Sequence, residues 1–311
     1  MLNDDDLAVI EFLDDGTLYA APNIIEEILN YPDLSDSFLL VSRDKYGVPT
    51  GYMPIGINLH GNIASYIPAI PPSPPISPTY TPGAENVIRD LDNLLSQSIL
   101  YFDVDVVPCG YGYFDLEETA SAYCLSLDDY FSELSASRRK DFKRKLKSAE
   151  KYEIEQGNMK DVLRGWNWMK AVWEKRGAYD SDHINRVLSW LYEIEASGRA
   201  TMKIDKYLLD GKPIAVNCCV IHQYHGNTHI DDYLTWYDVA TAPGLGIVTA
   251  IKNLTNPKYI GARYNLGLPG FYGNTFAGHQ YKWDVIAEPI RLYQSIVNLQ
   301  VGIQSISSLD N

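Results

Sequence analysis

The order of apolar and polar positions divides the chain into short helices and strands. Ile24, Ile25, Ile28 and Leu29 repeat at helical spacing and predict a short amphipathic helix. Residues 38–41 read as a strand, Asp44-Lys45-Tyr46-Gly47 as a turn, and residues 51–59 as the returning strand of a hairpin. Seven prolines stand between positions 68 and 82. Proline lacks the amide donor and fixes φ, so this stretch is neither helix nor central strand. It is an extended surface loop or a ligand for a partner's aromatic groove. Val87, Ile88, Leu91, Leu94 and Leu95 return to helical spacing, and residues 99–107 follow as a strand.

The second half has a more specific order. Ser135-Ala136-Ser137 supplies an N-cap for a helix that begins at Arg138. A short strand is expected at 152–155. Val162, Trp166, Met169 and Trp173 mark one face of a helix, and Ile184, Val187, Leu188, Leu191 and Ile194 mark another that ends at Gly198. Three strands follow at 201–209, 213–223 and 227–236, joined by Asp210-Gly211 and His225-Gly226, both hairpin chemistry. Ala242-Pro243-Gly244-Leu245-Gly246 then opens a helix carrying Ile247, Val248, Ile251 and Leu254. Strands at 262–266 and 289–293 close the pattern, with a glycine-rich loop between them.

Charge adds a division into lobes. The 311 residues are 46% hydrophobic and 21% charged, as in a globular chain with a core, and the net charge is -14. Residues 1–130 hold 3 Lys+Arg against 21 Asp+Glu. The remainder is slightly basic, and seven of the ten residues 138–147 are Arg or Lys. Two domains are expected, at 1–120 and 121–311. The acidic lobe is either a solvated surface or an attractor of cationic amines and peptides. The overall charge argues against a DNA-binding protein. The acidic opening Met1-Leu2-Asn3-Asp4-Asp5-Asp6 does not read as a secretory leader, and no apolar run is long enough to span a membrane. Cys109, Cys124, Cys218 and Cys219 show no C-x-x-C spacing, so neither disulfides nor a metal site are expected, and a cytoplasmic location fits.

A strand that ends in a glycine turn and feeds a helix presents free amides at the helix start, a ready anion site. Gly244 and Gly246 would let a pyrophosphate approach the backbone there. The motif is neither Walker A nor the Rossmann fingerprint, since no Gly-Lys-Ser/Thr follows and antiparallel hairpins precede it. The order of elements resembles the GNAT N-acyltransferase fold. Three stretches are similar to the branch related to the FemAB peptidoglycan aminoacyltransferases and the BioF2-like acetyltransferase domain. They are the basic helix Arg138-Arg139-Lys140-Asp141-Phe142-Lys143-Arg144, the helix start Ala242-Pro243-Gly244-Leu245-Gly246, and Tyr281-Lys282-Trp283. Residue 242 is Ala where that branch has Ser. The resemblance covers roughly residues 120–295. It implies an α/β (α+β) fold, a GNAT-like mixed central sheet flanked by helices, with a degenerate GNAT-like N-terminal half. It also implies acyl transfer from acyl-CoA, acetyl-CoA or longer, to a primary amine. Aminoacyl-tRNA as donor, with a peptidyl acceptor, and a catalytically inactive binding module are the alternatives.

In that family two parallel strands splay and hold the donor between them. Here these would be 227–236 and 262–266, with Pro243, Gly244, Leu245, Gly246 and Ile247 at the phosphates. Strict alternation puts Asp232 beside Ile230, Leu234 and Trp236 on an apolar face, where desolvation would suit it as a base. It could equally be a carboxylate bonded to a neighbouring strand or a buried tyrosine. Asp231 and His229 share the other face with Tyr233 and Thr235, either as a proton relay or as a solvated surface. His222 and His225 are expected at the surface beside their turn. The resemblance makes Tyr272 and Tyr281 candidates for protonating the leaving thiolate. Lys282, His279 and Trp236 are candidates for substrate contact.

Overall fold

The computed structural model describes residues 2–30, 34–58, 63–64, 81–87, 89–90, 115–118, 121–176, 183–266, 284–286, 293–296 and 298–299. The chain forms two compact units, one of Met1–Pro68, Ile76–Glu117 and Gln294–Asn311, the other of Ala69–Pro75 and Glu118–Tyr293.

In the first unit, α1 (Asp4–Phe12) starts at Asn3. The Asn3 side chain accepts from the Asp6 amide at 2.8 Å, and Asp6 accepts from the Asn3 amide in return. This capping box, with aspartates in the first turn, makes the acidic opening of the chain a helix start. α2 (Pro22–Leu29) has proline at its first position, where no amide is needed, and buries Ile24, Ile25, Ile28 and Leu29 as their spacing predicts. β1 (Leu34–Arg43) and β2 (Pro49–Asn58) form the expected antiparallel hairpin, and β3 (Ile63–Ala64) adds to β2. Residues 84–87 and 89–90 are helical. The rest of that helix, the strand expected at 99–107 and nearly all of the proline-rich stretch lie outside the described residues. β4 (Asp115–Glu118) closes this part of the chain.

The second unit runs β5 (Ser121–Tyr123), α3 (Leu127–Glu133), α4 (Ala136–Ser148), β6 (Glu153–Gln156), α5 (Met159–Arg176), α6 (His183–Ser197), β7 (Ala200–Leu209), β8 (Lys212–Tyr224), β9 (Asn227–Tyr237), α7 (Leu245–Leu254) and β10 (Arg263–Asn265). Its six-stranded sheet has the order β5-β10-β9-β8-β7-β6. All neighbours are antiparallel except β9 and β10, which α7 joins as a parallel pair. Asp210 and Gly211, and likewise His225 and Gly226, have positive φ. Each pair makes the two-residue turn that matches strand twist. Finally β11 (Tyr293–Ile296) pairs with β4, and β12 (Asn298–Leu299) pairs antiparallel with β3. Residues 289–292 of the last expected strand lie outside the described residues.

Helices cover both faces of the sheet. Gly165 of α5 lies so close to Val216 and Trp236 that a Cβ there would meet Val216 Cγ1 at 2.4 Å. α7 covers the other face. Its Ile251 and Leu254 pack with Ile230, Cys219 and Tyr264 of the sheet and with Phe142 of α4. α4 is capped by Ser135, which accepts from the Arg138 amide, and buries only Phe142 fully. Its cations are mostly exposed, Arg138, Lys140, Lys143, Arg144 and Lys147 among them. α3, which no spacing signalled, buries Tyr130 and Phe131 under Ser126 as its cap.

Candidate active site

β9 and β10 pair over three positions only: His229 with Arg263, Ile230 with Tyr264, and Asp231 with Asn265. β9 continues to Tyr237, beyond the three positions at which it pairs with β10, and Leu266 is the last residue described directly after β10. The chain then turns at Asp238, whose carboxylate accepts from the Ala240 amide at 3.0 Å and the Thr241 hydroxyl at 2.6 Å. The Thr241 bond and these amides hold the Asp238 pKa below the usual carboxylate range. Gly244 is the N-cap of α7, with φ 77 and no side-chain cap. Among the described residues, the only atom within 4 Å of a Cβ built there is Lys145 Cε, at 3.7 Å. Lys145 belongs to α4 and pairs with Asp141, as does Arg144. The Lys145 and Arg144 bonds lower the Asp141 pKa. The basic helix and the glycine turn therefore meet. Pro243 is exposed, Gly244 and Ile247 are half-buried, and Leu245 and Gly246 are buried. The amides of Leu245 and Ile247 bond within the turn, to Ala242 and Gly244 carbonyls.

The register of β8 on β9 shifts between Cys218 (opposite Leu234) and Cys219 (opposite Asp232), leaving Tyr233 as the extra residue of a β-bulge. This corrects the face assignment made from strict alternation. Residues directly opposite share a face. Asp232 therefore shares its face with Cys219 and Ile230, and past the bulge with Asn217 and Thr235. Leu234 and Trp236 lie on the other face. Trp236 is buried there, its ring 5.6 Å from that of Trp166. The bulge separates these two candidates.

On the α7 face, both Asp232 oxygens are engaged. Asn217 Nδ2 donates to Oδ1 at 2.8 Å and the Tyr264 hydroxyl donates to Oδ2. Asn217 Nδ2 also lies 3.1 Å from the Leu234 carbonyl and 3.0 Å from Thr235 Oγ1. Its Oδ1 accepts from Asn253 Nδ2 of α7 at 3.1 Å, and Asn253 Oδ1 accepts from Lys203 Nζ at 3.0 Å. Lys203 is paired with Asp205. A polar seam thus crosses the four central strands, β7 to β10, under α7. Burial, and then the Asp232 charge, push the Tyr264 phenol well above its ordinary pKa, so it remains a donor. Tyr264, Asn217 and Asn253 were not singled out from sequence. The available signal was Asn217, a lone amide inside the run Val216-Asn217-Cys218-Cys219-Val220.

On the opposite face, Asp231 is buried and bonds His222 Nε2 at 3.0 Å and Asn265 Nδ2 at 3.2 Å. His222, expected at the surface, is buried because its ring packs 5.4 Å from that of His229 across the hairpin. His225 is exposed as expected. Burial, opposed by Asp231 and reinforced by His222, lowers the His229 pKa to about 4. Asp231 is thus tied both across the hairpin to His222 on β8 and to Asn265 on β10. Tyr272, His279, Tyr281 and Lys282 lie outside the described residues. Among the described residues, no helix is long and apolar enough to cross a membrane, and no cluster of three or more His, Cys, Asp or Glu could hold a metal.

No family model matches the chain, and no curated protein matches it. Among solved structures it is similar to a conserved protein of unknown function from Bacteroides thetaiotaomicron VPI-5482, with 12% identity over 95% of this chain and 96% of that one, at a TM-score of 0.47. It is also similar to FemX, with 10% identity over 89% of this chain and 95% of that one, at a TM-score of 0.45. Neither likeness is close enough to assign a fold family or an activity.

Proposed function

We propose that the chain is an N-acyltransferase that moves an acyl group from acyl-CoA to a primary amine. One observation carries this reading: directly after its three positions paired with β10, β9 holds Asp232 between Asn217 and Tyr264, and the chain then turns through a left-handed glycine, beside Lys145, into α7. The start of α7, with Lys145 beside it, offers amides and positive charge to phosphates. Asp232 accepts a proton from the attacking amine as its nitrogen bonds to the thioester carbon. The C–S bond breaks, and the leaving thiolate takes a proton. The acceptor is a small molecule or a peptide, and the acidic first 130 residues favour a cationic one.

The exposed cations of α4 favour a second reading, in which the donor is an aminoacyl-tRNA and the acceptor a peptide. A thermal-shift panel separates the two. Free CoA, acetyl-CoA and longer acyl-CoAs should raise the melting temperature, since a ligand at about 100 times its Kd adds about 2.7 kcal/mol. Asp232→Asn should keep that shift and lose turnover. A chain that responds to aminoacyl-tRNA and to no acyl-CoA supports the second reading. No response to either leaves a binding module of another kind.

A further inference from the structure

We infer that Asn217 is the positioning residue of the site: its side chain pins the β-bulge at Tyr233 and thereby aims the Asp232 carboxylate. The chemical meaning of that aim rests on the acyltransferase reading, but the geometry does not. Asn217 is fully buried on the central strand β8, within an otherwise apolar run. A buried amide costs free energy unless its donors and acceptor are satisfied, so its presence calls for partners. Asn217 has them on both sides. Its Nδ2 meets Asp232 Oδ1 at 2.8 Å, Thr235 Oγ1 at 3.0 Å and the Leu234 carbonyl at 3.1 Å. These three residues flank the bulged Tyr233. One amide group thus ties the strand before the bulge to the strand after it.

The Asn217 amide cannot rotate to satisfy other partners. Its Oδ1 accepts from Asn253 Nδ2 of α7 at 3.1 Å and from Cys219 Sγ at 3.5 Å, which fixes which end of the amide faces Asp232. Asn253 is held in turn by Lys203 at 3.0 Å. The order Lys203, Asn253, Asn217, Asp232 therefore runs from donor to acceptor at every step. Tyr264 closes the arrangement from β10, on the other carboxylate oxygen. With Asn217 and Tyr264 each holding one oxygen, the carboxylate plane is set by two strands on either side of β9. Asp232 touches the reacting amine in the proposed reaction; Asn217 acts through Asp232.

The test is a carbon-13 NMR titration of aspartate carboxylates in the full chain, with D232N assigning the Asp232 signal. Removing a hydrogen bond to the charged form disfavours that form. In N217A and N217S the Asp232 signal should titrate at higher pH than in the parent. At neutral pH the signal of Asp231, held on the opposite face by His222 and Asn265, should keep its chemical shift. In an acetyl-CoA transfer assay, kcat should fall roughly tenfold or more, the loss of one hydrogen bond to a charged group. The acidic limb of the pH–rate profile should move with the NMR midpoint, while acetyl-CoA affinity is kept. Should N217A fail to fold, N217S carries the same reading with a hydroxyl in place of the carboxamide. An Asp232 titration identical to the parent in the folded variant overturns the inference. If the parent transfers no acyl group, the acyltransferase reading falls, and the titration alone still decides the role of Asn217.

Discussion

Gly244 allows stability and ligand binding to be separated at one backbone position. Its φ of 77 places it in the left-handed region, and a Cβ there would touch only Lys145 Cε, at 3.7 Å, among the described residues. Gly244→Ala therefore meets no backbone, and its cost is conformational: about 1 kcal/mol for an L residue in that region. For a unit of this size that is a fall of about 2–4 °C in melting temperature. Gly244→Asn should cost less, because asparagine visits this region and is a good N-cap. Its amide oxygen would occupy the helix-start donors that the proposal reserves for phosphate. The two variants should thus part company. The alanine variant loses stability and keeps most of its affinity for acetyl-CoA; the asparagine variant keeps stability and binds about tenfold more weakly, about 1.4 kcal/mol. Thermal melts without ligand give the first quantity and isothermal calorimetry with acetyl-CoA the second. Undiminished affinity in Gly244→Asn would refute the assignment of the phosphates to this turn.

Three further outcomes are expected. The folded pKa of His229, about 4, lies below the ordinary 6.5, so the unfolded chain takes up the proton first. Stability is then greatest above about pH 6.5 and declines as pH falls towards 4, by at most about 3 kcal/mol, and His229→Gln should flatten urea-denaturation stabilities across that window. Gly165→Ala should gain about 1 kcal/mol in helix propensity and lose roughly 1–3 to the 2.4 Å clash with Val216. A net loss is expected that Val216→Ala restores in a double-mutant cycle, and additive effects in that cycle would contradict the packing. Tyr264→Phe removes a buried donor from Asp232 and should destabilise by about 1–3 kcal/mol in denaturant melts. The loss should be smaller in an Asp232→Asn background; equal losses in both backgrounds would place the hydroxyl elsewhere.

Apart from α3, the helices and hairpins of the second unit were legible because local chemistry and global packing agree there. The stripe Val162 to Trp173 became α5, Ser135 became a cap, and the Asp-Gly and His-Gly turns took positive φ. α1 was not legible as a helix, because the acidic opening was weighed only against a secretory leader, and Asn3 capping the three aspartates of the first turn is a feature of the folded chain. The elements of the candidate site were legible in part. The glycine turn and Asp232 are marked by residue type, and the structure brings the turn against Lys145 of the basic helix. The kinds of partner expected as the alternative for Asp232, a neighbouring strand and a buried tyrosine, are the ones found, but their identities were not legible. Asn217 lies fifteen residues away along the chain and Tyr264 thirty-two, and only strand pairing brings them together. His222 was misread because proximity to a turn is a poor guide to burial where the neighbouring strand supplies a second imidazole ring.

The bulge at Tyr233 decides more than any single motif. A strand of strict alternation would have set Asp232 with Leu234 and Trp236, against α5 and its Trp166, a face without the Asn217 amide. One extra residue turns Leu234 and Trp236 into the packing beneath α5 and leaves Asp232 on the α7 side. There it meets the Asn217 amide and the Tyr264 phenol, the donors that a charged carboxylate requires. The same side carries the start of α7. Carboxylate and helix start are therefore on one face of one strand because of a register shift, and the three paired positions of β9 and β10 lie just before that shift. A deletion of Tyr233 should restore alternation beyond it, and the chain would then have to bury Asp232 or Trp236 on the wrong face. Loss of folding, rather than a folded chain with altered activity, is the outcome this register requires.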